Sequence, residues 1–68
     1  MRPAFNQSVS TPIGKGCSSG TVRHDDQTMY LVRLPINQQT QPHLRDENCL
    51  TPSAKRSGLW AFHEGDLQ

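Results

Sequence analysis

Apolar and polar positions along this chain alternate in steps of two, and no window shows the three- and four-residue spacing of an amphipathic helix. The runs "SGTVRH" and "MYLVRLP" are rich in β-branched and aromatic residues and are separated by "DDQT". The alternation predicts a hairpin of Gly20–His24 with Met29–Leu34, because successive strand side chains point to opposite faces. Asp25, Asp26, Gln27 and Thr28 supply the reversal, since short polar side chains bond nearby backbone N–H groups. Pro35 ends the second strand, having no N–H to give to a ladder. Upstream, Phe5, Gln7 and Val9 alternate in "FNQSV" and predict a first strand. Downstream, "HLRDENCLTP" predicts a short strand or one helical turn near Arg45–Asn48, and "LWAFHEGDL" a last strand. "INQQTQP" and "SAKRSG" read as loops. Prolines at 3, 12, 35, 42 and 52 leave no room for a long helix. About five short strands joined by turns predict an all-β fold, a small barrel.

Between the first two strands lies "TPIGKG". Pro12 pre-sets φ for a turn, and Gly14 and Gly16 permit positive φ. A phosphate-cradling loop needs its lysine after the second glycine and a helix beyond. Here Lys15 precedes Gly16 and a strand follows, so the segment reads as a turn. The order Val-x-Thr-Pro-x-Gly-x-Gly from Val9, then "YLVRLP", then "ENCLTP" resembles small SH3-like barrels of the KOW and Tudor type. The resemblance spans Val9 to Pro52. It departs at "CSSG", where that family more often continues with an apolar strand residue. It implies a single five-stranded SH3-like barrel over residues 1–68, with its core over about 5–67 and flexible termini. It implies nothing specific about function.

Parity along the strands assigns faces. Tyr30, Val32 and Leu34 share one face, expected inward; Met29, Leu31 and Arg33 share the other. In "LWAF", Leu59 and Ala61 alternate with Trp60 and Phe62, so both faces are apolar. A strand apolar on both faces is normally covered on both. A 68-residue chain has little left to supply the second cover. Met29, Leu31, Arg33, Leu59, Trp60 and Phe62 are therefore the interface candidates, with a second copy or another protein as the cover. The plainer alternative has Trp60 and Phe62 finishing an ordinary core.

Composition sharpens this picture. With 32% hydrophobic residues in 68, the core is small. Such domains rarely gain more than about 3–5 kcal/mol without a staple, a metal or a partner. Self-association is the expected remedy. A formal net charge of +1 argues against a strongly electrostatic nucleic-acid binder. Arg23 and Arg33, expected across the hairpin from one another, and Lys55 and Arg56 beside Trp60 are the candidates for a weaker single-stranded nucleic-acid surface. Six acidic residues dilute that field. No apolar run is long enough for a membrane span, and the N-terminus has no apolar signal core, so the expected location is the cytoplasm. Cys17 and Cys49 suit neither a disulfide framework nor a zinc knuckle. His24, Asp25 and Asp26 read as a polar hairpin tip, and His63, Glu64 and Asp66 as a solvated end. No metal, cofactor or catalytic residue is expected.

The favoured function is a non-catalytic module that self-associates and binds a protein partner; the alternative partner is single-stranded nucleic acid. A rival of another class is an oligomeric small-barrel enzyme. The chain is similar in size and barrel pattern to type II dihydrofolate reductases, whose pore forms when four SH3-like subunits assemble. No stretch matches their Val-Gln-Ile-Tyr pore strand, so no residue carries over. The compact character suits a mobile-element or gene-cassette product, although no motif carries that expectation.

Overall fold

The computed structural model describes residues 4–50 and 57–68. The fold is all-β. Four strands, β1 (Ser8–Thr11), β2 (Gly14–His24), β3 (Gln27–Pro35) and β4 (Ser57–His63), form one antiparallel sheet in chain order. Two 3-10 helices, η1 (Gln41–Arg45) and η2 (Glu64–Asp66), follow β3 and β4. The four-stranded sheet is not closed, where the sequence had suggested a barrel of five strands.

The predicted hairpin is present and longer than expected. β2 and β3 pair from Cys17↔Arg33 to His24↔Gln27. The reversal uses Asp25 and Asp26 alone, with φ of 51° and 64°. Two consecutive left-handed residues match the twist of the flanking strands, so Gln27 and Thr28 extend β3 instead of looping. β3 ends at Pro35, as its missing N–H predicts. The first strand begins later than "FNQSV" suggests. Asn6 takes φ 62°, and the Gln7 N–H donates to the Ala4 carbonyl at 3.0 Å. That turn takes Phe5 off the strand and leaves it 71% exposed.

The "TPIGKG" turn places Pro12 and Ile13 between the paired residues Thr11 and Gly14. Thr11 Oγ1 accepts from the Ile13 N–H at 3.2 Å and donates to the Gly14 carbonyl at 2.7 Å. The two glycines serve different ends. Gly14 has φ 142°, a backbone state that side chains rarely adopt. Gly16 is needed for space: a Cβ there would lie 2.2 Å from the Arg33 carbonyl oxygen.

The helical turn expected near Arg45–Asn48 sits earlier, at Gln41–Arg45, because Pro42 falls in its first turn, where no N–H is required. The following residues turn back onto β4. The Leu50 N–H donates to the Leu59 carbonyl at 2.8 Å, and the Ala61 N–H to the Asn48 carbonyl at 2.9 Å. Cys49 thereby bridges Trp60. "DENCL" thus contributes a bridge at the β4 edge and no full strand. At the other edge, Ser10 and Gln68 exchange both backbone hydrogen bonds, at 2.9 and 3.0 Å.

Val9, Ile13, Tyr30, Val32, Leu34, Trp60, Phe62 and Leu67 form the core, with Leu44 and Cys49 packed against it. Parity alone explains most of this set: Tyr30 pairs with Phe62 and Val32 with Trp60, so their side chains share the inward face. The Trp60 indole N–H donates to the His43 carbonyl at 3.0 Å, tying η1 across that face. Buried Thr40 donates to the Pro35 carbonyl at 2.8 Å and accepts from the Asn37 N–H at 3.0 Å. Two polar groups that would otherwise lose their water partners are thereby satisfied.

Candidate interaction surface

The opposite face of the sheet is where the structure leaves apolar side chains near solvent. Strand register puts Val22, Met29 and His63 on one rung, and Gly20, Leu31 and Ala61 on the next outward rung. Cys17, Arg33 and Leu59 form the rung beyond. Met29, Leu31 and Leu59 are half-buried; Val22 is 41% exposed and Leu50 49%. Leu50 arrives there because the Cys49–Trp60 bridge turns Cys49 toward the core and its neighbours outward. The Asn48 side-chain amide donates to the Ala61 carbonyl at 2.8 Å, holding that segment on the sheet.

Two hollows share this face. One, of about 500 Å³, has Val22, Met29, Ala61 and Leu50 as its apolar lining and His24, His63 and Asn48 among its polar residues. Among the described residues Asp25 and Glu47 bring carboxylates to it, and Arg23 a single cation. The other, of about 440 Å³, lies at the far end of the strands. Lys15 and Arg33 line it with Cys17, Ser8, Ser57 and Asn6, and no carboxylate reaches it. The outward face therefore runs from a mainly acidic end, across apolar side chains, to a basic end.

The candidates read from sequence divide between the two faces. Met29, Leu31, Leu59 and Arg33 lie on the outward face as their parity requires. Trp60 and Phe62, fully buried and 5% exposed, belong to the core and have no surface to offer a partner. Arg23 and Arg33 do not lie across from one another. Arg23 pairs with Thr28 and Arg33 with Cys17, at opposite ends of the hairpin and on opposite faces. The Arg23 guanidinium is engaged locally, donating to Thr28 Oγ1 at 3.2 Å and to the Asp26 carbonyl at 3.3 Å. Lys55 and Arg56 lie outside the described residues. Val22, Leu50, His24 and His63 were not among the candidates. Val22 was legible, since it shares parity with its partner Met29; Leu50 depends on a bridge that no local pattern announces.

His24 and Asp25 meet on the exposed tip, Nε2 to Oδ2 at 3.3 Å, because the turn has already begun at Asp25. Glu64 accepts from the Tyr30 hydroxyl at 3.3 Å. Cys17 is an exposed free thiol, and Cys49 is half-buried. Among the described residues no three His, Cys, Asp or Glu side chains cluster as metal ligands, and no helix is long and apolar enough to cross a membrane. Comparison of the chain with protein-family models, with curated proteins and with solved structures gives no match.

Proposed function

We propose that this chain is a non-catalytic interaction module, a small SH3-like barrel that self-associates and binds protein through the outward face of its sheet. The observation that carries the reading is the set of exposed Val22 and Leu50 with half-buried Met29 and Leu31, outside a sheet whose other face already holds the core. Val22, Met29 and Leu50 line one hollow, and whatever apolar area they still expose gains free energy from a cover, about 25 cal/mol for each Å² removed from water. The barrel part of the proposal draws on the sheet edges. Gln68 hydrogen-bonds the β1 edge, η2 follows β4, and Asn48–Leu50 flank the other edge. Edges occupied in this way support the barrel reading, since a small barrel has to satisfy the hydrogen-bonding groups of its edge strands.

Light scattering coupled to size-exclusion chromatography tests the proposal. Over about a hundredfold dilution, the mass is expected to fall from a multiple of 7.6 kDa toward that value as subunits separate. Val22→Asp and Leu50→Asp, both at exposed positions, are expected to abolish the larger species while circular dichroism shows the sheet intact. A single 7.6 kDa species at every concentration would end the self-association reading.

A further inference from the structure

Building on self-association through the outward face, we infer that two copies pack these faces together with their strands antiparallel, so that the basic end of each covers the acidic end of the other. The inference rests on how charge is laid out along the strands. Taking the Leu31 rung as centre, Arg33 lies two residues to one side, and the Val22–Met29–His63 rung two residues to the other. On β2, Lys15 lies two residues beyond Cys17, the partner of Arg33. Asp25 lies just beyond His24, the partner of Gln27, at the opposite end. Among the described residues neither Lys15 nor Arg33 makes an ion pair, and no carboxylate lines their hollow.

Two-fold symmetry leaves few choices for such a face. In the aligned class of face-to-face packing, which keeps strand directions within about 30° of one another, two in-plane axes are available. An axis running along the strands would bring Lys15 and Arg33 onto the mate's Lys15 and Arg33, stacking like charges. An axis running across the strands exchanges the two ends. Lys15 then faces the mate's hairpin tip with Asp25, while half-buried Leu31 faces its own copy at the centre. Only the second arrangement pairs unlike charges and seats apolar residues on apolar residues. It is isologous, so it closes as a dimer and does not propagate. Among the described residues Arg23 is the one Lys or Arg lining the acidic end. Its guanidinium lines the same hollow and donates to Thr28 Oγ1 and to the Asp26 carbonyl, so its hydrogen bonds are made within the hairpin tip, where Asp25 and Glu47 outnumber it.

Charge reversal tests the orientation separately from association. Lys15→Glu alone and Asp25→Lys alone are each expected to weaken the dimer by about tenfold or more, since each sets like charges opposite one another twice per dimer. The double variant Lys15→Glu/Asp25→Lys restores the pairing with its signs exchanged and is expected to return within about threefold of the original affinity. Glu47→Lys leaves the left-handed turn untouched and serves as a second probe of the acidic end, weakening the dimer in the same direction. Dissociation constants come from sedimentation equilibrium at low and high salt, with circular dichroism confirming that each variant folds. A dimer indifferent to every reversal, or a double variant weaker than both singles, would overturn the antiparallel arrangement and leave the self-association reading standing. A wild-type chain that stays monomeric at every concentration would overturn both.

Discussion

Neighbouring residues on β3 have opposite fates. Tyr30, Val32 and Leu34 are buried, the last two completely; Met29 and Leu31 are half-buried and Arg33 is exposed. The backbone is the same and only parity differs. Across the inward face each side chain meets another large one, with Trp60 and Phe62 on β4 and Leu67 and Leu44 beyond. On the outward face Leu31 stands between Gly20 and Ala61, both too small to cover it, and Met29 stands between exposed Val22 and His63. The first face is completed by packing within the chain. The second is apolar where it is central and charged where it ends, which is how the buried core and polar rim of a protein contact are arranged.

If the inward face carries the fold, its central residue has the largest effect. Trp60→Ala removes the largest fully buried side chain and the indole donor to His43. Losses of about 3–5 kcal/mol are usual for such truncations, as much as a core of this size supplies. The variant is expected to be unfolded at room temperature, with collapsed amide dispersion in its NMR spectrum. A folded Trp60→Ala would mean that the stability lies elsewhere than in the inward face.

The next effect tests how closely the strands approach. Gly16→Val drives a branched side chain against the Arg33 carbonyl and Leu34, whereas Gly14→Val meets nothing nearer than 3.7 Å and suffers only its positive φ. Gly16→Val is expected to cost about 2–3 kcal/mol as overpacking and Gly14→Val about 1–2 kcal/mol as backbone strain. Chemical denaturation midpoints should fall in that order. The reverse order would mean that the Gly16 contact relaxes by a shift of β3 against β2.

How far the sequence anticipated this division depends on which interactions are local. Strand parity placed Tyr30, Val32 and Leu34 inward and Met29, Leu31 and Arg33 outward, because alternation is a property of the chain itself. The same parity puts Thr28 with Tyr30, and therefore its partner Arg23, on the inward side; pairing Arg23 with Arg33 ignored that signal. The Asp25–Asp26 turn was located but read two residues too long, since aspartate only tolerates the left-handed region that glycine prefers. What settles Trp60 is non-local: the His43 carbonyl and η1 reach it from 17 residues away. The basic hollow brings together β1, β2, β3 and the start of β4, and the bridge that raises Leu50 joins Cys49 to Trp60. Neither has a signature in any short window.

The hairpin tip lies beyond both faces and gives a smaller effect of opposite sign. Replacing Asp25-Asp26 by Asn-Gly installs the pair that such two-residue turns prefer. Relief of left-handed strain, less the added freedom of glycine in the unfolded chain, leaves an expected gain of about 0.5–1 kcal/mol. The same change removes the carboxylate proposed to face Lys15 of the mate. The denaturation midpoint of the dilute protein should rise while the dimer weakens. A rise in both would place Asp25 outside the contact.

The smallest effect on the isolated fold is expected from the outward face itself. Val22→Thr and Leu50→Thr together exchange exposed apolar groups for polar ones, at positions 41% and 49% exposed. Neither residue belongs to the core cluster, and surface changes of this kind usually fall within about 0.5 kcal/mol. At micromolar concentration the thermal midpoint should therefore stay within a few degrees of the parent. At near-millimolar concentration the two proteins should part. Association stabilises whichever state it binds by mass action, so the parent's midpoint should climb with concentration and the variant's should not. Scanning calorimetry across the concentration series reads this directly. Parallel curves for parent and variant would mean that the outward row, however apolar, touches no other copy of the chain. A variant already destabilised when dilute would mean that the row packs within its own chain, and the contrast between the faces of β3 would narrow to one of degree.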